Sequence, residues 1–268
     1  MSAPAAHASL VLKNVGKRFG GLRAVHDVSL VVRAGTIFGL IGPNGAGKTT
    51  LFNLVTGVYP CDTGTIELAG KDLTRLAPAQ IAAAGVARTF QNIRLFGQLS
   101  VLENLLVAGE AASGEDGAPK RSGIRTALFR GRVAQATEER TRARGEELLR
   151  VFDLHDASDA APLSLSYGNQ RRLEIARAMM LSPKLLLLDE PAAGMNYGEA
   201  AGLETQIRWL RDTFKLTVVL VEHNMQVVMG ASDEIHVLDR GETLAHGTPD
   251  EVRKDAKVLA AYLGEETA

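Results

Sequence analysis

One cysteine stands in 268 residues, so the chain has no intramolecular disulfide and no cysteine-cluster metal site. Cys61 lies in YPCDTG, a turn-like stretch, and reads as a small loop residue of a reducing compartment. No apolar run approaches the ~18–20 residues that cross a bilayer. The opening MSAPAAHAS has neither a basic n-region nor an apolar h-region, so no secretory signal peptide is expected. Charge of one sign is lacking too: 30 Lys and Arg face 31 Asp and Glu, a net charge of -1. That balance gives no overall pull towards nucleic acid or anionic lipid, and no nucleic-acid partner is expected. Internal repeats and low-complexity tracts are absent. The expectation is a cytoplasmic chain that is able to dock on a membrane protein.

What is present is a core and a pattern. Hydrophobic residues make up 46% of the chain, enough for one α/β domain carrying an insertion. Residues 9–13, 27–32 and 64–68 alternate or are β-rich, which predicts antiparallel strands. TIFGLIG (36–42) is a fully apolar run, as a buried parallel strand requires. KTTLFNLVTG (48–57) reads as a helix closed by Gly57.

Ser100 and Glu103 form a capping box that opens a helix over 100–109, followed by a glycine-rich loop over 109–119. Residues 124–153 read as a charged helix with Glu138–Arg142 and Glu146–Arg150 pairs, and with Leu148, Leu149 and Phe152 on its buried side. KLLLLDE (184–190) and TVVLVEH (217–223) read as central parallel strands joined through a helix over 198–213. A hairpin around Arg240-Gly241 follows, and then a helix capped by Thr248 with Pro249 in its first turn.

GPNGAGKTT (42–50) fits G-x-x-x-x-G-K-[ST], with an apolar strand before it and a helix after it. The nucleotide-binding set is Gly42, Pro43, Asn44, Gly45, Ala46, Gly47, Lys48, Thr49 and Thr50. Glycines let backbone N–H groups turn in around phosphate oxygens. Lys48 is expected to reach the β- and γ-phosphates of ATP, and the Thr49 hydroxyl to ligate Mg²⁺. Asp189 and Glu190 end a buried strand, where ligands of a parallel sheet collect. Asp189 is expected to hold Mg²⁺ through water and Glu190 to polarise the attacking water. His223 ends the next strand. A lone histidine is usually structural or exposed, but this position favours a γ-phosphate contact. Gln91 follows another short β-like stretch, where it can ligand Mg²⁺ or orient water. Ser166, Gly168 and Asn169 sit at a helix mouth, whose positive dipole end suits an anion.

These motifs occur in the order of an ABC-type ATPase subunit, which the chain resembles over nearly its whole length. The resemblance implies an α/β P-loop NTPase, RecA-like, with an N-terminal antiparallel β subdomain and an inserted helical signature subdomain. The core would span 1–94 and 160–268, and the helical part about 95–159. It implies a catalytic set of Glu190, His223, Lys48 and Gln91, and an adenine-stacking Phe19. It implies that Ser166, Gly168 and Asn169 meet ATP held by a second ATPase subunit. Gly194, Met195 and Asn196 match a loop that crosses that dimer interface. Integral-membrane permease subunits would dock on the helical part, at the cytoplasmic face of the inner membrane, with a solute-binding protein as indirect partner.

Within the family, the LSYG signature with QRRLEIARAM, ARTFQNIRLF, the Arg-rich insertion and the ending HGTPDEV…VLAAYLG resemble ATPases of branched-chain amino acid importers. Urea or amide importers of the same branch would look alike, and ATPases for lipid or lipopolysaccharide extraction share the core motifs. Permease-free relatives usually carry two tandem units or a long coiled coil, and this chain has neither. Tyr167, Asn169 and Tyr197 depart from the commoner glycine, glutamine and proline; none removes a catalytic group. The basic cluster Lys120, Arg121, Arg125, Arg130 and Arg132 reads as a solvated face, with a lipid-headgroup contact as the alternative.

Overall fold

The five residues Ile37–Ile41 are all buried, because the strand they form runs through the middle of a sheet covered on both faces. The computed structural model describes residues 8–113, 124–193, 195 and 197–263. In chain order the elements are β1 (Ala8–Phe19), β2 (Leu22–Arg33), β3 (Ile37–Ile41), α1 (Lys48–Val55), β4 (Thr63–Leu68), β5 (Lys71–Asp72), α2 (Pro78–Ala83) and β6 (Val86–Arg88). Then come α3 (Val101–Ser113), α4 (Ile124–Val151), α5 (Tyr167–Met179), β7 (Leu185–Asp189), α6 (Tyr197–Phe214) and β8 (Thr217–Val221). The chain ends through α7 (Met225–Ala231), β9 (Glu234–Asp239), β10 (Glu242–Gly247), α8 (Pro249–Lys254) and α9 (Ala256–Leu263).

Two compact units result. One is Met1–Gln91 with Lys184–Ala268, and the other is Asn92–Pro183. The first holds both sheets. The antiparallel sheet has the order β2-β1-β4-β5, and the second has the order β10-β9-β3-β8-β7-β6. In the second, β9, β3, β8, β7 and β6 pair in parallel, while β10 folds back on β9. The helices and strands between β3 and β8 are the long crossovers that parallel pairing demands.

Side chains on a strand alternate faces, and the cores follow that alternation. Phe38, Leu40, Leu185, Leu187, Val219 and Val221 join Leu51 and Phe52 of α1 and Leu10, Leu12 and Leu30 of the antiparallel sheet in one core. Ile41, Ile235 and Val237 join Val228, Val252 and Val258 in another, under α7, α8 and α9. Each such fully buried side chain contributes ~1.5–3 kcal/mol of transfer free energy. The β9–β10 turn is carried by Arg240 (φ 47°) and Gly241 (φ 83°), the two positive φ values that a tight hairpin needs.

The second unit is helical. Leu148 and Leu149 are wholly buried, as the periodicity predicts, and Phe152 nearly so. Ser100 and Glu103 close their capping box, with Ser100 N donating to the Glu103 carboxylate at 2.6 Å and Glu103 N to Ser100 Oγ at 3.2 Å. Two local expectations change. Helix α3 runs on to Ser113 instead of ending at Gly109. Gly109 serves packing there: a β-carbon would lie 2.5 Å from Thr141 Cγ2 and 2.6 Å from Met180 Cε. Arg142 pairs with Glu146 at 3.2 Å and not with Glu138. Helical side chains lean towards the N-terminus, which brings Glu146 back over Arg142.

No helix among the described residues is long and apolar enough to cross a membrane. The stretch from 114 to 119, Lys120, Arg121, Gly194 and Asn196 lie outside the described residues, as do the side chains of Arg125, Arg130, Arg132 and Tyr197.

Candidate active site

The loop between β3 and α1 is shaped by what its glycines allow. Gly47 has φ 100°, and a β-carbon there would lie 2.5 Å from the Ala24 carbonyl oxygen. At Gly42 a β-carbon would lie 2.1 Å from the Leu238 carbonyl oxygen. Ala46 is buried and its carbonyl accepts from Gly241 N at 3.0 Å, which fastens the loop to the β9–β10 turn. The first intrahelical bond of α1 is Leu51 N to Gly47 O at 2.9 Å, so the N–H groups before Leu51 head the helix without intrahelical partners. Lys48 is buried and curls back, donating to Gly42 O at 2.6 Å and Pro43 O at 2.9 Å. Its ammonium group therefore sits over the loop. Thr49 is exposed, as are Asn44 and Gly45, and Thr50 is half-buried. A loop that admits only glycine at 42 and 47, a cation above it and an exposed hydroxyl fit a Mg²⁺-bound nucleotide phosphate.

Across the parallel sheet, β7 delivers two acids with different surroundings. Asp189 is buried and takes Arg88 Nη2 on Oδ2 at 2.6 Å. The same guanidinium reaches Asn53 of α1 at 2.7 Å and lies 5.5 Å from the Phe52 ring and 5.1 Å from the Phe90 ring. Glu190 adopts φ 46°, a left-handed conformation that costs a non-glycine residue ~1–2 kcal/mol. Its backbone N–H donates to Val221 O at 2.8 Å. Its carboxylate accepts from Gln91 Nε2 at 2.7 Å and lies 3.7 Å from His223 Nδ1. The His223 side chain is 63% exposed at the rim, with Nδ1 also 3.9 Å from Glu222 Oε2.

Phe19 ends β1, 41% exposed, with its ring edge-on to Tyr59 at 5.1 Å and Lys17 Nζ 5.6 Å away. Ser166 caps α5, its Oγ accepting from Asn169 N at 3.4 Å. A serine hydroxyl that accepts in a cap still has its proton to donate. Gly168 is exposed, with nothing within 4 Å of where a β-carbon would stand. These three residues belong to the helical unit.

The structure thus gathers Gln91, Glu190 and His223 within hydrogen-bonding or near-contact distances, and places the lysine over the loop that the motif defines. Among the described residues no three His, Cys, Asp or Glu side chains could hold a metal ion by themselves. A nucleotide-borne Mg²⁺ needs fewer, because phosphate and water fill most of its shell. Sequence reasoning missed Arg88, Asn53, Tyr59 and Glu222. Arg88 carried a signal, a cation closing a short strand three residues before Gln91; so did Glu222, an acid that ends an apolar run.

A family model described as ABC transporter matches residues 25–193, and one described as Branched-chain amino acid ATP-binding cassette transporter matches residues 242–268. The chain is 44% identical to the High-affinity branched-chain amino acid transport ATP-binding protein LivG of Salmonella typhimurium, over 96% of this chain and 98% of LivG. It is 42% identical to the protein BraF of the same description from Pseudomonas aeruginosa, again over 96% and 98%. The crystal structure of the ADP conformation of MJ1267, an ATP-binding cassette of an ABC transporter, superposes with a TM-score of 0.80 at 31% identity, covering 96% of this chain and 99% of that one. With the ordered motifs and the fold, these likenesses establish that the chain belongs to the ABC transporter family, as an ATP-binding and ATP-hydrolysing subunit homologous to LivG and BraF.

Proposed function

We propose that this subunit powers import of branched-chain amino acids, working as a dimer of ATPase subunits against permease subunits on the cytoplasmic face of the inner membrane. A solute-binding protein completes the system indirectly. The substrate class rests on what LivG and BraF are named for and on the match over 242–268.

The observation that carries the chemistry is Glu190, bonded to Gln91 at 2.7 Å and 3.7 Å from His223. In this reading the Glu190 carboxylate accepts a proton from a water whose oxygen attacks the γ-phosphorus. The bond from that phosphorus to the bridging oxygen breaks, and ADP leaves. Lys48 and His223 offset charge on the transferring group. Thr49, Asp189 and Gln91 would hold Mg²⁺, which when bound neutralises phosphate charge and orients the chain of phosphates. The Asp189–Arg88 bond occupies Oδ2 and leaves Oδ1 for that shell. Phe19 offers a face to adenine, and Ser166, Gly168 and Asn169 serve the ATP of the second subunit.

The test is co-purification. A tagged Glu190→Gln variant is extracted gently from membranes with ATP and Mg²⁺. Polytopic permease subunits together with a second, similar ATPase are the expected companions. A soluble partner, or the chain alone as a homodimer, counts against the importer reading.

A further inference from the structure

Glu222 follows β8, next to His223, and has no part in the chemistry proposed for the site. Its carboxylate is wholly buried, yet carries three backbone donors. Ala192 N donates to Oε1 at 2.5 Å. His223 N and Asn224 N donate to Oε2 at 3.1 and 3.2 Å. A buried carboxylate is costly unless it is bonded in this way, and bonds to its charged form are the strong kind. The donors come from two different segments. Ala192 lies two residues past Glu190, whereas His223 and Asn224 open the next loop.

We propose that Glu222 is a positioning residue that sets the spacing between Glu190 and His223. Glu190 is pinned at its own N–H by Val221 O at 2.8 Å, and two residues later Ala192 N is pinned by Glu222. The residue between is Pro191, whose φ is fixed by its ring. Glu190 is therefore held on both sides by the consecutive residues Val221 and Glu222. Those pins sustain its left-handed φ of 46°. The second oxygen of the same carboxylate fixes the backbone of His223. One carboxylate thus holds the backbone from which both working groups extend, and its Oε2 also lies 3.9 Å from the imidazole Nδ1 that stands 3.7 Å from Glu190.

The inference rests on the roles given above to Glu190 and His223, and the experiment keeps the two apart. Full-length Glu222→Gln, Glu222→Asp and His223→Ala variants are compared with the parent. The readouts are ATP turnover, the KM for ATP, the dissociation constant of a fluorescent ATP analogue, and amide exchange at Ala192, His223 and Asn224. In Glu222→Gln an NH₂ group must face at least one set of N–H donors. Expected are a turnover loss of at least ~10-fold, a KM and nucleotide affinity within about twofold of the parent, and faster exchange at all three amides. Glu222→Asp keeps the charge but is one methylene shorter, and its turnover should fall more than about twofold below the parent at unchanged nucleotide affinity. That outcome decides the matter if Glu222→Gln does not fold. A variant that folds and turns over within about twofold of the parent, or whose loss follows nucleotide affinity alone, overturns the proposal. A slow His223→Ala beside a parent-like Glu222→Gln overturns the role of Glu222 only. A His223→Ala at the parent rate removes His223 from the chemistry, and the proposal with it.

Discussion

Arg88 and Asp189 form an ion pair at 2.6 Å, with only 8% and 7% of their side chains exposed. The guanidinium closes β6, the carboxylate closes β7, and Asn53 of α1 takes a further bond at 2.7 Å. Three elements that frame the phosphate loop are thereby tied at one point. Arg88→Met leaves the carboxylate buried without its cation, which should cost about 3–5 kcal/mol of unfolding free energy. Denaturant titration of parent and variant checks this. A loss below about 1 kcal/mol would show that the pair does not organise the site.

Glu190→Gln keeps size and an accepting oxygen but removes the carboxylate proposed as the base. Turnover should drop by roughly 10²–10⁴ while nucleotide binding stays. Steady-state ATPase assays with a parallel binding titration measure both. Activity within tenfold of the parent rules out the role given to Glu190.

Lys48→Ala should act on the other quantity. Its ammonium group rests on the carbonyls of Gly42 and Pro43, over the cradle. Loss of charge-assisted bonds worth about 1.5–3 kcal/mol weakens ATP binding by ~10–100-fold. An unchanged dissociation constant would refute the assignment.

Much of this was legible in the chain because the signals are local. The apolar run 36–42, the glycine spacing and the helix after it can be read without knowing the fold, as can the buried face of Leu148, Leu149 and Phe152. The capping box at Ser100 and Glu103 is a four-residue pattern. Contacts that join distant segments were not legible. Arg88 meets Asp189 across 101 residues of chain, and Ala192 meets Glu222 across 30. Pairing of that kind depends on strand order, which no window of sequence contains. The helix through Gly109 was missed for a related reason: glycine marks a loop by propensity, whereas here its lack of a side chain admits Thr141 and Met180.

A pH dependence follows from His236. The imidazole is buried, donates to or accepts from Thr243 Oγ1 at 3.0 Å, and stacks on Phe38 with 6.2 Å between ring centres. Burial, and next the charge of His246, lower its pKa from 6.5 to about 4. The unfolded chain therefore binds a proton that the folded chain refuses. The stability this group contributes is complete above pH 6.5 and is lost as pH falls from there to about 4. Between pH 7.5 and 5.5 this group's share of the loss should be on the order of 1 kcal/mol. His236→Phe should lack that share of the slope. Denaturant titrations of both proteins at the two pH values give the difference. Equal slopes would show that His236 is not held neutral by the fold.

The most direct test of the account is transport. In cells that lack the gene for this chain, uptake of radiolabelled leucine is measured after complementation with the parent or with Glu190→Gln. The parent should restore uptake, excess isoleucine or valine should compete it away, and Glu190→Gln should leave it at the level of the deletion. Leucine, isoleucine and valine uptake unaffected by the deletion would contradict the assignment to branched-chain amino acid import. Full rescue by Glu190→Gln would contradict the claim that hydrolysis at this site drives it.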